Sequence, residues 1–188
     1  MQKIIKFSIL TAVLTIAITG CKKNEEPTNC KYEDLTTCIT PALGWEKRNI
    51  ECENAYYDVN AHGTGSAIYL YKVDAGKVCT VDEYVASARN DWERDKDKFE
   101  GTGFNELNDI EFSAISYTKV GGVDAFEYIK TYTISGKYPT PFITYMKVRC
   151  IGIIVGTIVY SIDCMTKESD YDTVAADFQS MIDSYRLK

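Results

Sequence analysis

Hydrophobic and polar positions change their period several times along the chain, and each change marks an element. Residues 9–18 form an apolar run behind Lys3 and Lys6, closed by small residues; a bilayer span takes about 20. Residues 22–29 are polar, carry Pro27 and lack apolar anchors, so they read as a flexible tether. The folded part is expected to begin near Pro41 to Trp45. Residues 45–60 supply a strand and a loop there, with Tyr56, Tyr57 and Val59 as apolar contacts. Residues 61–66 are glycine-rich turn chemistry, and Ala67 to Val73 alternates as a strand does.

At Thr80 the period becomes helical. Thr80-Val81-Asp82-Glu83 is a capping box, in which the threonine hydroxyl and the glutamate carboxylate each satisfy a backbone amide. Val81, Tyr84, Val85, Ala88, Trp92 and Phe99 then fall on one stripe, and Gly101 and Gly103 stop the helix. The charges of residues 93–100 alternate in sign, as on a solvated face.

From Ile110 the period is two. Ile110, Phe112 and Ala114 share a face, Gly121-Gly122 predicts a tight hairpin, and 123–134 returns. Gly136, Pro139 and Pro141 mark the next turn, followed by strands over 142–151 and 156–165. Consecutive strands with short turns make an antiparallel sheet. The glycines at 152 and 156 centre the last hairpin near Ile154, which sets Cys150 opposite Ile158 and argues against a direct Cys150–Cys164 bridge. Ser169 is the expected cap of a closing helix whose buried stripe is Tyr171, Val174, Phe178, Met181, Ile182 and Tyr185. Arg186 and Lys188 suit its carboxyl end.

The cysteine after the apolar run changes the picture. Basic residues, an apolar stretch and small residues before a cleavage point make a secretory signal. Ile18-Thr19-Gly20-Cys21 resembles the lipobox of bacterial lipoproteins, where the cysteine thiol accepts a diacylglyceryl group and the small glycine admits a peptidase. The organisation expected is therefore a lipoprotein signal peptide over 1–20, a lipidated cysteine and flexible tether over 21–40, and one domain over 41–188. A simple secreted protein is the bland alternative. Two or more acyl chains on Cys21 attach a protein lastingly to a membrane. The charged run of 22–26 also looks like a surface-export signal, although a solvated tether has the same composition.

Cleavage after Gly20 leaves 188 − 20 = 168 residues, enough for one core. Removing Lys3 and Lys6 from the 21 basic residues leaves 19 against 27 acidic ones, a net charge of 19 − 27 = −8. That argues against nucleic acid as a partner and against an electrostatic grip on anionic lipid. Fourteen tyrosines and seven phenylalanines, set among β-branched residues, favour a sheet-rich fold. Beyond Cys21 six cysteines remain, which allow 15 pairings. Export makes disulfides plausible, and Cys30 with Cys38 is the local pair expected.

The element order, with Gly44-Trp45, residues 121–125 (Gly-Gly-Val-Asp-Ala), Tyr160-Ser161-Ile162 and residues 178–185 (Phe-Gln-Ser-Met-Ile-Asp-Ser-Tyr), resembles the PsbP-like and DcrB-like group over 41–188. The resemblance implies an α+β fold, an antiparallel β-sheet packed between α-helices as a PsbP-like sandwich. It also implies an accessory or binding subunit rather than an enzyme. The six further cysteines depart from that pattern, so no binding residue is carried over.

Candidate chemistry is sparse. His62 is the only histidine and sits beside glycines; no C-x-x-C, G-x-S-x-G, H-E-x-x-H or completed nucleotide loop occurs. No cofactor and no metal is expected. The expected role is a membrane-anchored cell-envelope lipoprotein acting as a non-catalytic binding or accessory module. Its partners would be the membrane, through the lipid, and an unidentified envelope protein. Tyr56, Tyr57, Tyr132, Tyr138 and Tyr145 are the candidate surface aromatics. The alternative is an envelope enzyme or small-ligand carrier using the strand carboxylates Glu127 and Asp163, whose bland reading is the wet side of a half-covered sheet.

Overall fold

The long strands after residue 106 carry buried side chains on both faces, and the sheet they form organises the rest. The computed structural model describes residues 32–33, 37–50, 53–58, 65–99, 106–136 and 140–188. The strands are β1 Tyr32–Glu33, β2 Thr37–Ile39, β3 Trp45–Ile50, β4 Glu53–Asp58, β5 Ala67–Asp74, β6 Glu106–Phe112, β7 Ser116–Val120, β8 Val123–Gly136, β9 Phe142–Val155, β10 Ile158–Lys167 and β11 Arg186–Leu187. Helix α1 is Val81–Phe99 and helix α2 is Tyr171–Ser184. Among the described residues the main sheet runs β3-β4-β5-β10-β9-β8-β6, with β7 also paired to β8, and every pairing is antiparallel.

Side chains alternate across a strand, so β9 sends Met146, Val148 and Cys150 to one face and Ile151 and Ile153 to the other. Helix α1 covers the first face with Val85, and α2 covers the second with Val174, Phe178, Met181 and Ile182. The architecture is thus α+β, an antiparallel sheet between helices. Trp45 locks β3 to α2: its ring meets Phe178 edge-on at 5.6 Å, and its Nε1 donates to Asp177 Oδ2 at 3.0 Å. Burying a side chain the size of Phe178 contributes about 1.5–3 kcal/mol.

Helix α1 starts at the expected box. The Thr80 amide donates to Glu83 Oε2 at 2.9 Å and the Glu83 amide to Thr80 Oγ1 at 3.2 Å, which holds the Glu83 carboxyl below its usual range. The β7–β8 hairpin turns at Gly121 (φ 60°) and Gly122 (φ 84°), the left-handed pair that a two-residue type I′ turn requires. A Cβ on Gly121 would also come within 2.8 Å of the Tyr185 carbonyl oxygen.

Three expectations are corrected. The stretch 21–40, read as a tether, already contains β1 and β2; β2 pairs with β11 and sinks Ile39 into the α2-side core. The β9–β10 turn lies at Gly156 (φ 63°) and Thr157, not near Ile154, so Cys150 faces Asp163 and Arg149 faces Cys164. Gly152 is no turn residue: it lies within β9 beneath the Phe126 ring, which occupies the place any Cβ there would take. Finally, Ser169 does not cap α2. A 3-10 turn over Glu168–Asp170 precedes the helix, Asp170 occupies the cap position without a side-chain cap bond, and Ser169 Oγ donates to Asp170 Oδ1 instead.

Candidate functional site

The two faces of the sheet carry different polar groups. Beneath α1, the register aligns Tyr69, Asp163, Cys150 and Tyr128 side by side on β5, β10, β9 and β8. Ser161 Oγ donates to Asp163 Oδ1 at 2.8 Å. Burial lifts the Asp163 carboxyl above its usual range, against the pull of Lys130 and of hydrogen bonds from Ser161 and Cys150. The thiol of Cys150 is driven well up by burial and by the Asp163 charge. A thiol held protonated is a poor nucleophile. Burial, then Asp163, also pushes Tyr84 to about 12, while burial, then Cys150 and Asp163, pushes Tyr132 to about 12. Lys130 is only 4% exposed and rests its ammonium on the Trp92 ring at 3.9 Å.

On the α2 face Glu127 answers Arg149. Arg149 Nη2 and Nε donate to Glu127 Oε2 at 2.7 and 3.1 Å, and its Nη1 donates to Gln179 Oε1 on α2 at 2.7 Å. Gln179 Nε2 donates onward to Asp183 Oδ1 at 2.7 Å. Nearby, Lys147 Nζ lies 4.0 Å from the centre of the Tyr171 ring. This chain of charge-assisted bonds fastens α2 to β8 and β9.

The structure therefore separates the two strand carboxylates. Glu127 is opposite Ile151 and Asp163 opposite Cys150, adjacent β9 residues that point to opposite faces. They do not meet in one site. Cys21 and Cys30 lie outside the described residues, as do His62 and Tyr138 and the side chains of Tyr56 and Tyr57. Cys38 is buried in β2 and is not one of the free thiols, which among the described residues are Cys79, Cys150 and Cys164. Cys150 and Cys164 stay unbridged, since one-residue offset sends them to opposite faces.

Of the candidate surface aromatics, Tyr145 is 60% exposed, but Tyr132 is 5% exposed and stands under Trp92, its hydroxyl donating to Met165 Sδ at 3.3 Å. Tyr145 has company: Phe142 and Ile143 are 42% and 66% exposed. These residues precede Met146, where pairing with β10 stops, so their strand neighbour is β8. Tyr117 on β7 is 74% exposed and was not among the expected aromatics, although its place in an edge strand beside a glycine hairpin marks it. Among the described residues no His, Cys, Asp and Glu side chains gather as metal ligands, and no helix is long and apolar enough to cross a membrane.

No protein-family model matches the sequence, and no curated protein matches it. In three dimensions the chain is similar to cyanobacterial PsbP (CyanoP) from Synechocystis sp. PCC 6803, at 10% identity and a TM-score of 0.49 over 84% of this chain and 96% of that one. It is also similar to PA94 from Pseudomonas aeruginosa, a protein of unknown function, at 10% identity, TM-score 0.42, 82% and 84%. LpqN of Mycobacterium tuberculosis, involved in cell envelope biogenesis, aligns at 9% identity, TM-score 0.44, 81% and 83%. Likenesses this distant carry no functional weight.

Proposed function

We propose that this chain is a cell-envelope lipoprotein, anchored through acylated Cys21, whose domain acts as a non-catalytic binding or accessory module. The observation that carries the reading is the contrast between buried and exposed groups. The strand carboxylates are split between two faces and engaged by their neighbours, while Phe142, Ile143 and Tyr145 stand in solvent at one end of β9. Ile143 and Tyr145, two residues apart, share one face, and an exposed apolar pair at a sheet end suits a protein partner. The Cys30–Cys38 disulfide belongs to the same proposal, because it requires an oxidising compartment.

The test is a photoreactive residue at position 145 in intact cells. It is expected to capture one envelope protein, and Ile143→Asp is expected to abolish the capture, while Glu127→Gln with Asp163→Asn leaves it intact. Capture that survives Ile143→Asp, or that needs the two carboxylates, refutes the surface. Cys21→Ser is expected to release the protein from membranes, and unchanged fractionation refutes the anchor. Thiol titration of the unfolded, unreduced chain lacking residues 1–20 is expected to find fewer than six free thiols besides Cys21.

A further inference from the structure

A second surface, independent of the Phe142–Tyr145 end, lies where α1 meets the edge of the sheet. A groove of about 330 Å³ opens there between one stripe of α1 and the connector leading into β7. Val85 and Ile115 make its apolar floor, Ala86 lies on its helical wall, and Asp82, Arg89 and Glu93 are on its rim. The volume is at the lower end of small-ligand pockets, about 300–1,000 Å³, and suits one or two side chains. Beside it, β7 pairs only with β8 among the described residues. The two-residue turn makes Val120 and Val123 a hydrogen-bonded pair, and alternation then points the backbone N–H and C=O of Tyr117 and Lys119 away from β8.

Edge strands are commonly blunted by a bulge, a proline or an outward lysine. Strand β7 has neither bulge nor proline, and its lysine is turned back: Lys119 Nζ sits 2.7 Å from Asp124 Oδ1 on β8. Tyr117, opposite Phe126, presents its side chain on the α1 face, the face of the groove. Among the described residues the edge is open, and the groove next to it is shaped for side chains.

We infer that an extended peptide segment of another protein adds to β7 as a further strand and drops an apolar side chain onto Val85 and Ile115, with a lysine or arginine beside it. Charge selects the cation: the rim carries two carboxylates, and its one guanidinium is laid over the Phe112 ring, Arg89 Cζ standing 5.0 Å from the ring centre. Main-chain bonds to the edge give affinity, and the groove gives specificity.

A phage-displayed library of random ten-residue peptides panned on the full chain tests this. Enriched peptides are expected to place a basic residue near an apolar one within a strand-like alternation. Binding of the best synthetic peptide is expected to shift amide resonances of residues 82–93 and 113–120. Ala86→Arg crowds the groove from an exposed helical position; Tyr117→Pro removes one outward N–H and spares the ladder to β8. Each is expected to weaken that peptide about tenfold or more at an unchanged melting temperature. A library that enriches nothing, peptides lacking basic residues, resonance shifts elsewhere, or affinity indifferent to both substitutions overturns the inference. The capture at position 145 is read separately, so either surface can fail alone.

Discussion

The face under α2 and the face under α1 are built from the same strands yet are held in different ways. Under α2 the contacts are aliphatic and aromatic, with Phe178, Met181, Ile151, Ile153 and Ile162 almost wholly enclosed, and the ionic chain through Arg149 runs along the margin. Under α1 the apolar side chains share the space with the Asp163 carboxyl and the Lys130 ammonium, whereas the thiol and tyrosines there have counterparts under α2 in Cys164 and Tyr185. Burying polar groups costs free energy unless partners offset it. The α2 side therefore supplies stability, and the α1 side is the more tunable layer. Each face also owns one of the two tryptophans, Trp45 against Phe178 and Trp92 against Tyr132, so single-tryptophan variants report on the faces separately.

The sharpest way to break this contrast is Phe178→Ala. Emptying that position is expected to cost about 3–5 kcal/mol, with both tryptophans responding together in chemical unfolding; a loss near zero would mean α2 is not held by its apolar stripe. Next comes Gly152→Ala, whose methyl must displace the Phe126 ring. A loss of about 1–3 kcal/mol is expected, with hydrogen exchange in α1 accelerated more than in α2. Thr80→Ala removes half of the capping box and is expected to cost about 1 kcal/mol, again read as faster exchange at the start of α1 with α2 unaffected.

The smallest effect has the opposite sign. Because the folded-state pKa of Asp163 is raised above the ordinary 3.8, the folded chain binds more protons than the unfolded one just above that value. Stability from this group is therefore greatest in acid and is lost as pH rises from the unfolded to the folded pKa. Asp163→Asn is expected to remove that slope and to stabilise the protein at neutral pH, measured as urea midpoints across the range. A slope unchanged in the variant would assign it to another group.

Much of the fold was readable beforehand where a local rule acts alone. The capping box at Thr80, the stripe from Val174 to Ile182 and the Gly121-Gly122 turn all stand where periodicity and turn chemistry put them. Errors arose where tertiary contact overrides local preference. Gly152 resembles a turn residue, yet its missing side chain is room for Phe126, and that shifted the expected β9–β10 register. Strands as short as β2 and β11 have no period to detect. Tyr132 and Tyr145 are the same residue type on the same hairpin, but the register turns them to opposite faces, and Tyr132 alone lies under Trp92. Nor could alternation alone tell that Glu127 and Asp163 belong to different faces, since that depends on a register the residues do not announce.

The pairing of Arg186 and Leu187 with Thr37 and Cys38 ties the order of events to the order of synthesis. Thr40 and Ser184, 144 positions apart, exchange hydrogen bonds at the same seam. The β1–β2 pair must wait for its third strand until that late stretch has been made and delivered, so a chain halted before it has no clasp and leaves one edge of β2 available to chaperones and proteases.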